Sequence, residues 1–178
     1  MIFESILAML VSLGVAAEDR APELAELKRE QRATVAQAIS IVATEQRSIP
    51  PLELAAVLVT LGEHETNWRL RLHQGWCRTF ECDRGRARGS YQLQRRSGMS
   101  ESEWDGLLGL GLTPTLRATR EAARRVRAAR RRCRSLEDRQ DWAAGVFSSL
   151  AGRGCIGDFK GRAARVAMFR RLLGRAGA

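Results

Sequence analysis

A chain of 178 residues with 44% apolar content can bury one sizeable core, which excludes global disorder. Its formal charge is +10 and its pI near 11.0, and all but two of the 30 basic residues, Lys28 and Lys160, are arginine. A surface of this sign attracts polyanions, whether nucleic acid, anionic membrane or acidic cell-wall polymer.

Residues 1–17 are apolar apart from Glu4 and two serines, and fall short of the ~20 residues that a spanning helix needs. Val15-Ala16-Ala17 suits a small-residue cleavage site, but Glu4 stands where a signal peptide carries positive charge. The segment reads equally as a signal, an anchor or a packing helix. Residues 18–47 form an N-terminal helical region, with Leu24, Leu27, Val35, Ile39 and Val42 spaced among charges. The remaining residues, 48–178, read as one catalytic-size domain. "SIPPLE" breaks the helical pattern and starts a new helix, from Pro51 to about Thr66. Ala55, Ala56 and Val59 make most of its faces apolar, so this helix is expected to be buried and central.

From residue 69 to 98 the pattern turns irregular, punctuated by Gly75, Gly85, Gly89 and Gly98, with room for a short strand or hairpin. Helical spacing resumes at 102–110. A long basic helix follows, with Leu116, Val126, Ala129, Cys133 and Leu136 on its inner side, and a last pair is expected at 142–150 and 162–175. Strand-like alternation is nearly absent, so the fold class is mainly α. Four cysteines allow three pairings. The exported reading joins Cys77 to Cys82 as a local loop and Cys133 to Cys155 as a tie between C-terminal elements, and the cytosolic reading leaves four buried thiols.

The central helix ends in "GEHETNW". Taking Leu54 as zero and about 100° per residue, Glu65 lands about 20° away on the apolar stripe, and Glu63 about 180° away. A carboxyl desolvated at the end of a buried helix resists ionisation and can deliver a proton to a leaving oxygen. Glycosidic cleavage requires such an acid. Glu65 is the candidate and Glu63 the alternative acid; the plainer reading has both ending the helix in water.

"HETNW" followed by "GSYQLQ" resembles the lysozyme-like superfamily, in its soluble lytic transglycosylase and goose-type lysozyme branch. Glu65-Thr66-Asn67-Trp68 is similar to the family's catalytic Glu with its small hydroxyl neighbour, here Thr, and following aromatic. Gly89-Ser90-Tyr91-Gln92-Leu93 is similar to its Gly-x-x-Gln segment, and Ser149-Leu150-Ala151-Gly152 is a weaker counterpart of a late aromatic-Asn-Ala-Gly element. The resemblance implies a single helical domain with an irregular or hairpin cleft segment. It implies cleavage of the MurNAc–GlcNAc β-1,4 bond of peptidoglycan, by hydrolysis or transglycosylation, with Glu65 as general acid. Ser90, Tyr91, Gln92 and Trp68 would hold the sugar, and Glu81 or Asp83 would be a possible second carboxylate. It implies no cofactor, and a protein that is exported to the periplasm or envelope or carried on a virion.

Other features compete. Trp68 and Trp76 could stack on sugars, whereas Trp104 and Trp142 read as core. His64, His73, Cys77 and Cys82 raise zinc, but "HETNW" lacks the second His of a zincin motif and a disulfide accounts for the cysteines better, so no metal is expected. Nine arginines between Arg117 and Arg134 could track phosphates, which makes a basic nucleic-acid-binding helical protein without enzymatic activity the alternative function. Neither interleaved aromatics nor a helix-turn-helix pattern accompanies them. Anionic wall polymers are the other candidate partners of that face, and 1–17 offers a membrane contact.

Overall fold

The central helix forms where the sequence places it. In the computed structural model, which describes residues 2–78, 81–134 and 142–176, α3 (Pro51–Thr66) starts with proline in its first turn and the amide of Leu54 bonding Pro50 O. Every residue from 54 to 62 is buried, so the helix has no solvent face over two turns. At about 1.5–3 kcal/mol per large side chain, Leu54, Val57, Leu58 and Val59 anchor the core. The helix stops at Asn67, which turns left-handed and donates its amide to Glu63 O at 2.7 Å.

Around it lie α1 (Ile2–Ser12), α2 (Ala25–Glu45), α7 (Leu112–Arg132), α8 (Trp142–Leu150) and α9 (Arg162–Ala176). Single 3-10 turns, Ala17–Asp19 and Pro22–Leu24, lead into α2, so regular α-helix begins only at Ala25 within the helical region expected from 18 to 47. The apolar N-terminal segment packs inward: Ile6, Met9 and Leu10 are buried as α1 lies on α2, α3 and α9. α7 packs on α2 and buries the small side chains Ala118, Ala122, Val126 and Ala129, which leaves most of its arginines at the surface. Leu116 is partly buried and Cys133 fully so; Leu136 falls outside the described residues. Among the described residues no helix is long and apolar enough to cross a membrane.

The irregular stretch holds α4 (Leu70–His73), α5 (Cys82–Gly85), a turn with left-handed dihedrals at Cys82, Asp83 and Arg84, and a two-residue antiparallel hairpin. Its strands, β1 (Ala87–Arg88) and β2 (Leu93–Gln94), pair Ala87 with Gln94 and Arg88 with Leu93. The short helix α6 (Glu101–Asp105) follows, opened by a reciprocal cap between Ser100 and Glu103. It ends five residues before the expected 110. Both disulfides form in the expected pairing, Cys77–Cys82 and Cys133–Cys155.

Candidate functional site

The chain reverses sharply after Thr66, because Asn67 and Trp68 both take left-handed dihedrals. The reversal folds the Trp68 indole back on its own helix, where a Cβ on Gly62 would lie 2.1 Å from the ring. Gly62 is required by that close approach. Trp68 is 5% exposed and meets Tyr91 edge-on, ring centres 5.7 Å apart. Thr66 Oγ1 lies 2.9 Å from Gly62 O and 3.0 Å from Ser90 O, tying the helix end to the hairpin turn. Ser90 Oγ sits 2.6 Å from His73 Nδ1, which Gln31 Nε2 also reaches at 2.6 Å. His73 is fully buried, and its burial, reinforced by nearby Lys28, pushes its pKa down to about 3. Thr66, Trp68 and Ser90 therefore brace the junction from within.

Glu65 leaves the same helix end in the other direction, into a cleft of about 430 Å³. Its neighbours there come from three distant stretches: Tyr91 to Gln94 of the hairpin, Ala122 and Arg125 of α7, and Leu150, Ala151 and Gly152 at the end of α8. Gln92 reaches this position with a φ of 45°, its amide bonding Gly89 O. Gly89 itself has positive φ, and a Cβ there would lie 2.9 Å from Leu107 O, so the turn depends on glycine. The buried Tyr91 ring forms part of the lining, with its hydroxyl 3.3 Å from Thr119 Oγ1 and its pKa pushed above the ordinary phenol range by burial. Arg125 bonds Gln94 O and is held by Glu121 at 3.1 Å. The cleft thus brings together Glu65, Tyr91 and Gln92, and leaves Ser90 and Trp68 behind it in the core.

One arginine pairs with Glu65 and a second lines its cleft, and sequence reading singled out neither. Arg165, on α9, places Nη1 2.8 Å from Glu65 Oε1, with the glutamate side chain 31% exposed and the arginine 16%. Its guanidinium also lies over the Phe159 ring. Arg125 is the second. Nothing local distinguishes either among so many arginines; only the docking of α7 and α9 does.

Glu63 occupies the opposite side of the helix, half-buried among Lys28 and Arg32 of α2 and Arg171 of α9. Burial raises its pKa, against the pull of those three cations. The desolvation expected of the catalytic candidate thus falls on the alternative acid, which does not line the cleft. Lys28 is itself buried and salt-bridged to Asp19 at 3.0 Å, with burial lowering its pKa.

The remaining candidates are accounted for by their contacts. Glu81 is gripped by Arg71, and with the Arg78 amide this holds its pKa down to about 2. Asp83 pairs with Arg86 at 2.9 Å and accepts Gln94 Nε2 at 3.0 Å. Neither lines the cleft. Cys77 and Cys82 are bonded to each other, and His73 is bonded to Gln31 and Ser90, so the zinc set has no shared centre. Trp76 is exposed, whereas Trp104 and Trp142 are buried, each beneath a guanidinium, Arg88 and Arg130. On the outer face of α7, Arg120 pairs with Glu45, Arg124 with Glu121, and Arg132 bonds Ser149. Set against family models, curated proteins and solved structures, the chain matches none.

Proposed function

We propose that the protein cuts the glycan strand of peptidoglycan between N-acetylmuramic acid and N-acetylglucosamine, with Glu65 as the proton donor. One observation carries this reading: three short segments far apart in sequence, Glu65, Tyr91 to Gln94, and Leu150 to Gly152, line a single cleft at the end of a buried helix. Those are the segments whose residues resemble the cleft elements of the lysozyme-like fold. Proximity outranks pKa in choosing the acid, since a proton donor must reach the leaving oxygen. Glu63 has the raised pKa and the wrong side of the helix.

In the reaction, protonated Glu65 donates to the glycosidic oxygen as the C1–O bond breaks. Glycan entering the cleft displaces Arg165 from Oε1. Among the described residues that line the cleft Glu65 is the one carboxylate, which favours attack by the muramyl 6-hydroxyl over attack by an activated water. The hydroxyl oxygen bonds C1, its proton returns to the Glu65 carboxylate, and a 1,6-anhydro end results. Gln92 and Gln94 offer amide groups to orient the sugar. The two disulfides suit an oxidising location, such as the cell envelope or a virion.

Digestion of purified sacculi followed by mass spectrometry of the soluble products tests the reading. Anhydro-muramyl ends are expected; reducing ends would replace the transglycosylase assignment with a hydrolase. Absence of any glycan fragment from wild type would overturn it.

A further inference from the structure

Five arginines of α7 recur at alternating spacings of three and four residues: Arg117, Arg120, Arg124, Arg127 and Arg131. That period keeps them on one face, over about 21 Å of helix axis at ~1.5 Å per residue. Arg117, Arg120, Arg124 and Arg127 form one wall of a groove of about 620 Å³, separate from the Glu65 cleft and larger than it, and Arg131 continues the face beyond it. Arg96, Met99, Ser102, Glu103 and Leu107 complete it on one side, Glu45 and Gln46 at the end of α2 on another, and Glu121 of α7 lies between the arginines that it and Glu45 neutralise.

The charges of the row are not all engaged. Arg120 and Arg124 are held by Glu45 and Glu121. Arg117, Arg127 and Arg131 make no ion pair with any described residue, and Arg127 Nε is buried without a hydrogen-bond partner. Three guanidiniums without an ion pair among the described residues, two on the groove wall and Arg131 beyond it, lie in a line with paired ones between them, and match a thin chain bearing discrete anions. We infer that this groove binds a flexible phosphodiester polymer of the polyol-phosphate kind.

Two alternatives fit the groove less well. Single-stranded nucleic acid is gripped by aromatic side chains that stack its bases, and no aromatic lines the groove among the described residues. Binding to a bilayer surface needs exposed apolar anchors, whereas Met99 and Leu107 of the groove are buried. The inference stands apart from glycan cleavage, because Glu65 lies in the other cavity.

The test titrates the whole protein with a labelled poly(glycerol phosphate) oligomer of about ten repeats, an oligo-dT of equal phosphate number and anionic lipid vesicles, at several salt concentrations. With three phosphates neutralised, the log–log salt slope is expected near −2, an affinity loss of about 20-fold between about 50 and 200 mM salt. Arg117→Gln with Arg127→Gln should weaken polymer binding about tenfold and reduce the slope by about 1.4. Arg29→Gln with Arg170→Gln removes the same charge from exposed positions off the row, and should change binding less than about twofold. Circular dichroism melts confirm that each variant is folded, and Glu65→Gln should bind like wild type. Equal weakening by the two double variants, oligo-dT binding as tight as the polymer's, or binding to vesicles alone would each overturn the inference.

Discussion

Two carboxylates leave the end of one helix in opposite directions and meet different chemistry. On the closed side, Glu63 is wedged between α2 and α9 with Lys28, Arg32 and Arg171 around it, and burial raises its pKa. On the open side, Glu65 looks into a cleft lined by backbone turns and amide side chains, with Arg165 on one of its oxygens. Desolvation alone would select Glu63 as an acid. On the proposed function access favours Glu65, because a raised pKa has no use where no leaving group can reach.

The sharpest way to break this contrast is Glu65→Gln, which keeps shape and removes the proton donor. Wall-lytic activity should fall by about 10²–10⁴-fold while the melting temperature changes little. Retained activity in that variant would falsify the assignment.

Gly62→Ala disturbs both sides together, since the new methyl would meet the Trp68 ring that closes the junction. Overpacking of this kind costs about 1–3 kcal/mol, and urea midpoints should show it. A variant as stable as wild type would mean that Trp68 can vacate its place cheaply.

His73 supplies the next test. Its pKa is held near 3 when folded and is ordinary, near 6.5, when unfolded, so below about 6.5 the unfolded chain takes up a proton that the folded chain refuses. Stability should therefore fall as pH drops from about 6.5 toward 3, by up to about 1.4 kcal/mol per pH unit from this group. Urea midpoints for wild type and His73→Gln near neutrality and near pH 4.5 should converge at the lower pH. Parallel profiles would remove His73 from the acid sensitivity.

Glu63→Gln should have the smallest effect and the opposite sign. With its folded pKa raised, Glu63 binds its proton more tightly when folded, so stability from this group is lost as pH rises through that raised value. The amide removes the penalty. Because the side chain is only half-buried, a gain of no more than a few tenths of a kcal/mol, ~0.3, is expected at neutral pH, read as a small rise in melting temperature with activity intact.

The helices were legible because their apolar spacing is long and regular; α3, α8 and α9 fall within a residue or so of the expected bounds. The junction was legible only in part. A helical wheel places Glu65 and Glu63 on opposite sides, and the structure keeps them there. No wheel applies beyond Asn67, where three consecutive decisions are made by turns: Trp68 folds inward, Ser90 points to His73, and Gln92 swings toward the cleft on a positive φ. Polar residues in loops advertise solvent or ligand equally well as buried hydrogen bonds, so Ser90 gave no sign of its partner. Arg165 was illegible for another reason, since its pairing depends on a helix a hundred residues away in sequence.

The Cys133–Cys155 bond closes a loop of sequence separation 22 that contains Leu150, Ala151 and Gly152, one wall of the cleft. Without it that wall would be held by the backbone bonds of Ala151, Gly152 and Arg153 to α8, and by the bonds of Ser148 to Gly157 and Arg132 to Ser149. Reduced chain would keep its helical core and lose definition at the rim, so oxidation is the step that fixes the shape of the cleft. If the proposed function holds, glycan cleavage assayed before and after mild reduction should fall while the helical signal is kept.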